Sequence, residues 1–187
     1  MGHGTGAVIA PHWWCYLPWG CDSLINSNKK FENGKFYRDK MCAWELVGPL
    51  MTLTAGADLV RNRNVLIPVD NQGSVSIYKK GWCTSCMLCT TLTLAISEVA
   101  ASINCKVEIV KITRCSNQLA EAADAISKVD FWRMRRMMPG ANVEPAMVPT
   151  ELVRWVKNPV ADRKLRARIL EEMGVRRNIL GHQGMFL

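Results

Sequence analysis

A chain of 187 residues, half of them hydrophobic and about a fifth charged, is long enough to bury a core and too apolar to stay disordered. Its formal charge of +8 favours a polyanionic partner or an anionic surface. No run reaches the roughly 18 to 20 apolar residues of a membrane span, since Lys79, Lys80 and Glu98 bracket the longest candidate. The N-terminus lacks a basic start followed by an apolar core, so we expect an intracellular protein of nucleus or cytoplasm with no membrane partner and reduced cysteines.

Residues 6–19 are rich in Val, Ile, Trp and Tyr and are interrupted by Pro11 and Pro18, which predicts strands. The opening runs from a glycine-rich turn straight into the first of them, as in a domain entered partway through. Residues 29–40 carry Asn33-Gly34 between Phe31 and Phe36-Tyr37, the usual hairpin dipeptide. Residues 42–60 read as a helix with Leu46, Leu50 and Leu53 on one side and a kink at Pro49. Residues 65–69 are a short apolar run of the kind found in buried parallel strands. A short helix over 74–80 and a long one over 83–102 follow, the latter with Leu88, Leu92, Ile96 and Val99 in register. A strand over 106–112 and a helix over 118–138, stopped by Pro139-Gly140, complete the order. Antiparallel strands come first and helix-connected strands later, so the expected fold is α/β, a mixed sheet with helices packed on its faces.

Three acids stand out against apolar surroundings. Glu45 lies in Met41-Cys-Ala-Trp-Glu-Leu-Val, Asp70 ends Asn64-Val-Leu-Ile-Pro-Val-Asp, and Asp124 sits in an alanine-rich helix. A buried carboxylate is costly unless it is paired or binds metal, so the set suggests a cation site. Each also has a purely structural reading. Glu45 suits a first-turn helix charge, Asp124 suits a pair with Lys128 four residues on, and Asp-Asn-Gln-Gly is good turn chemistry.

These pieces resemble the ribonuclease H-like domain attached to retroelement reverse transcriptases, most closely that of tyrosine-recombinase (DIRS-type) retrotransposons. The resemblance spans residue 4 to about residue 131. It rests on Gly-x-Gly-Ala-Val at 4–8, Glu45 on the first helix, Val-Asp-Asn-Gln at 69–72, Ser-Asn-Gln-Leu-Ala at 116–120 and Ala-Asp-Ala-Ile-Ser-Lys at 123–128. It implies a five-stranded mixed sheet with its first strand incomplete, over residues 1–138, and a basic helical extension over 139–187. It further implies hydrolysis of RNA in an RNA–DNA hybrid by two magnesium or manganese ions, with Glu45, Asp70 and Asp124 as metal-binding catalytic carboxylates. Asn71, Gln72, Asn117, Arg133, Arg135 and Arg136 are then the expected nucleic-acid contacts, and the rest of a reverse transcriptase polyprotein is a possible partner. The family's fourth ligand, an Asp on the first strand, falls before Met1, so hydrolysis is expected to be impaired. Pro68 is a second departure, because a proline in a central strand removes a ladder hydrogen bond. A catalytically dead relic of the fold, keeping nucleic-acid binding or a structural role, is the alternative.

From Phe131 onward eleven Arg and Lys face five acids, so most of the positive excess lies in the tail. Val148-Pro-Thr-Glu-Leu-Val-Arg-Trp155 resembles a segment of the same polyproteins, and Leu152, Trp155, Leu165 and Ile169 suit a packing appendage. A basic helix is expected at 162–173. Cys83-x-x-Cys86-x-x-Cys89 has the spacing of a metal run but lacks a fourth cysteine and sits at an apolar helix start, so core packing outweighs a cysteine-rich metal module. Trp13, Trp14, Tyr16 and Trp19 read as core more than as a base-stacking surface.

Overall fold

The computed structural model describes residues 3–9, 12–20, 41–113 and 117–157; the expected hairpin at 29–40 and basic helix at 162–173 lie outside them. Strands β1 (Gly4–Ile9) and β2 (Trp13–Pro18) pair antiparallel, with Ala7 opposite Cys15. Helix α1 (Met41–Ala55) and the short α2 (Ala57–Val60) lead to β3 (Asn64–Val69). Helices α3 (Gln72–Lys80) and α4 (Met87–Ser102) then cross to β4 (Lys106–Lys111), which lies parallel to β3 with Ile67 opposite Ile109. Three helices follow: α5 (Gln118–Ser127), α6 (Phe131–Met137) and α7 (Thr150–Lys157). The architecture is α/β, an antiparallel pair first and a parallel pair second. The described residues form two two-stranded sheets and not the single five-stranded sheet expected. Among them no helix is long and apolar enough to cross a membrane.

Strand alternation explains the layering. Ala7 on β1 and Cys15 and Leu17 on β2 enter one core with Trp44, Leu46, Leu50 and Leu53 of α1 and Leu88, Leu92 and Ile96 of α4. The intervening residues Val8, Trp14 and Tyr16 face the other way, into a second core with Ala122, Ala125 and Ile126 of α5 and Met134 of α6. Helices therefore cover both faces of the hairpin. The N-terminal aromatics are core, as their density predicts: Trp14 and Trp19 are buried, Trp14 lies 5.5 Å from Phe131, and Trp19 lies 5.5 Å from Trp44. Val65, Ile67 and Val69 of β3 and Ile109 of β4 join the larger core, while Leu66 and Glu108 point outward.

Several boundaries differ from the sequence expectation. The helix expected over 42–60 runs unbroken past Pro49 and breaks at Gly56 instead. The long helix begins at Met87, not 83, because the Cys83 amide and carbonyl both bond the Thr90 hydroxyl and Cys86 becomes the N-cap. The helix over 118–138 splits in two, with Val129 at φ 63° and the Asp130 carboxylate capping Arg133 N–H at 3.0 Å. Residues 139–152 pack onto the domain. Ala146 N–H donates to the Trp14 carbonyl at 2.8 Å along the outer edge of β2, and Leu152 is fully buried in the larger core. Trp155, Leu165 and Ile169 are not among the side chains described.

Pro68 fits its strand for a specific reason. Lys106 N–H donates to Arg63 O, and Ile112 N–H to Val69 O, so odd-numbered residues of β3 address β4. The Pro68 nitrogen therefore faces the other edge, where β3 has no strand partner among the described residues.

Gly6 is where α5 comes closest to β1. A Cβ there would lie 2.5 Å from the Ala123 carbonyl oxygen and 2.6 Å from Ile126 Cβ. Gly6→Ala should therefore push α5 off the hairpin and cost about 2 kcal/mol of stability, measured by urea unfolding. An unchanged midpoint would show that the helix yields without loss.

Candidate functional site

Asp70 stands at the C-terminal end of β3, directly before the N-cap of α3. Loops that follow parallel strands are where open α/β sheets present ligand-binding groups. The next residue fixes this turn: Asn71 Oδ1 accepts from Gly73 N–H at 2.8 Å and Ser74 N–H at 3.2 Å. The first turn of α1 abuts it, because Cys42 Sγ donates to the same oxygen at 3.5 Å and Ser74 Oγ donates to the Cys42 carbonyl at 3.1 Å.

Glu45 lies one turn further along α1 and is half-buried. It falls in the second turn, and the first turn of α1 contains no acid, so the reading of Glu45 as a first-turn charge does not hold. A Cβ at Gly48 would lie 3.6 Å from Thr5 Cγ2, and helical spacing sets Glu45 on the same stripe, toward the start of β1. On the opposite face of β1, α5 runs antiparallel to it, since His3 N–H donates to Ser127 O at 2.7 Å while Ala123 lies over Gly6. Asp124 is thus beside the same end of β1. Its carboxylate accepts from Lys128 Nζ at 2.7 Å, the pair its spacing predicts, and its side chain is only 11% exposed against 50% for the lysine.

The elements that carry the three acids lie around the start of β1 and the end of β3. Among the described residues no three His, Cys, Asp or Glu side chains are grouped so that they could hold a metal ion. Carboxylate oxygens suit magnesium or manganese chemically, and one of the three acids, Asp124, is ion-paired with Lys128.

The polar residues expected to touch nucleic acid divide into two groups. Asn71 and Asn117 are helix N-caps, the latter accepting Ala120 N–H at 3.0 Å, and Gln72 Nε2 bonds Ser76 Oγ at 3.4 Å. Their carbonyl oxygens serve local helix starts. The arginines of α6 are exposed, each with its own partner: Arg133 pairs with Glu121 at 3.3 Å, Arg135 donates to the Val143 carbonyl at 3.0 Å, and the Arg136 guanidinium lies 4.7 Å from the centre of the Trp132 ring. Trp132 is 70% exposed and was not singled out from sequence, although its i, i+4 spacing to Arg136 carried the information. Neither a family model, nor a curated protein, nor a solved structure matches this chain.

Proposed function

We propose that this chain is a ribonuclease H-like domain of a retroelement that engages an RNA–DNA hybrid, with Glu45, Asp70 and Asp124 in the positions of the metal-binding carboxylates. The observation that supports it most is the placement of Asp70 at the carboxyl end of a parallel strand, tied through Asn71 and Cys42 to the helix that bears Glu45. The five-stranded sheet of that fold is part of the proposal; the two sheets described are its antiparallel and parallel portions. Nucleic acid is held in this reading by α6, where three arginines and an exposed tryptophan offer charge and a stacking surface. The Asp124–Lys128 pair favours the second reading, in which the fold binds without cutting.

The test combines binding, cleavage and melting on the full chain. Hybrid binding should weaken steeply with salt, and cleavage in magnesium or manganese should stay near background. Either metal should still raise the melting temperature, by about 3 °C for each kcal/mol of binding linkage, and Asp70→Asn should abolish that gain. Equal metal stabilisation of the mutant would remove Asp70 from the site, and absence of salt-sensitive hybrid binding would overturn the proposal. Strong cleavage that survives in Asp70→Asn would place the active site elsewhere.

A further inference from the structure

Two free thiols, Cys86 and Cys89, sit together at the opening turn of α4. Cys86 is the N-cap of α4, in extended conformation at φ −152° and ψ 98°, and its Sγ accepts the Cys89 N–H at 3.4 Å. Cys83 is clamped three residues earlier by Thr90, whose Oγ1 accepts from the Cys83 amide at 2.9 Å and donates to its carbonyl at 3.2 Å. Cys42 comes from the first turn of α1. The Cys89 thiol is pushed far up from its ordinary value, first by its hydrogen bond with Cys86, then by burial, then by the charges of Cys86, Cys83 and Cys42. Cys86 and Cys89 are buried, Cys42 and Cys83 are half-buried, and Thr84 and Ser85 just before the helix are exposed.

We propose that Cys86 and Cys89 form a reversible dithiol–disulfide site that exchanges with low-molecular-weight disulfides. A cysteine at an N-cap and one at the third helical position bring their Cα atoms to about 5.5 Å, the separation a disulfide requires. The first sulfur lies at the N-cap of a long helix, bonded to the Cys89 amide, and is the attacking group. The second, sharing a hydrogen bond with the first, is placed to resolve the adduct. The step balances: the Cys86 thiolate attacks one sulfur of the small disulfide and expels a thiolate. Cys89 gives its proton to that leaving group and attacks the Cys86 sulfur, releasing a second thiol. Two protein thiols are oxidised to one disulfide and one small disulfide is reduced to two thiols. A shared metal is the other chemistry such thiols offer, but no three of them are grouped as ligands among the described residues.

The reduced full-length chain is incubated with oxidised glutathione, denatured, alkylated and mapped by fragmentation mass spectrometry. The expected product is a Cys86–Cys89 disulfide, with Cys15, Cys42 and Cys105 still alkylated and full reversal by dithiothreitol. Cys89→Ser should stop at a glutathione adduct on Cys86. Cys86→Ser keeps a good N-cap and should leave Cys89 reduced. Alkylation of both cysteines in the oxidised wild-type chain would overturn the proposal, as would a bridge from Cys86 to Cys83 or Cys42. So would uptake of zinc that protects all four thiols together.

Discussion

Trp44→Ala is expected to lower the free energy of unfolding by about 4 kcal/mol. The indole is 2% exposed and meets Trp19 edge-on at 5.5 Å, so it joins the N-terminal hairpin to the helical layer. Truncation removes a large apolar surface and leaves a cavity between elements that are held in place by other contacts and cannot simply close around it. The check is urea denaturation, where the midpoint should fall with no change in slope. Trp132→Ala is the control, because that ring is 70% exposed and its loss should move the midpoint little. Equal effects at the two positions would mean that the core does not depend on the Trp44–Trp19 contact.

The second large effect is expected on binding. Replacing Arg133, Arg135 and Arg136 together by Ala should weaken hybrid binding at least tenfold at moderate salt and lower the slope of log affinity against log salt by about two to three. Trp132→Ala should cost about tenfold more on single strands, through lost base stacking, with the salt slope nearly unchanged. The two variants thus separate charge from stacking. Because Arg135 also holds the Val143 carbonyl, melting curves must accompany the binding data. Unaltered affinity and slope in the triple variant would move the nucleic-acid surface away from α6.

Much of the fold was legible because period and punctuation agreed with burial. The strands over 65–69 and 106–112 follow from an apolar run and an alternation, and the short helix expected over 74–80 is found two residues longer, at Gln72–Lys80. Helix limits were less legible where side chains competed for backbone groups. The hydroxyl of Thr90 takes Cys83 out of α4, and Asp130 starts a new helix where periodicity alone continues the old one. At the candidate site, the Lys128 partner of Asp124 was readable from its spacing of four. The tie between Asn71 and Cys42 was not, since it joins residues 29 apart in sequence.

The outward-facing nitrogen of Pro68 has a consequence for how the chain behaves in concentrated solution. A strand whose outer edge presented an unbroken row of donors would be a template for a second molecule, and aggregation through added strands is the hazard of such an edge. A strand that pairs along this edge of β3 finds one donor missing near the strand's end, two residues after the exposed Leu66. Pro68 thus withholds one donor from any strand, of this chain or another, that pairs along this edge of β3, which is the part a gatekeeper proline plays.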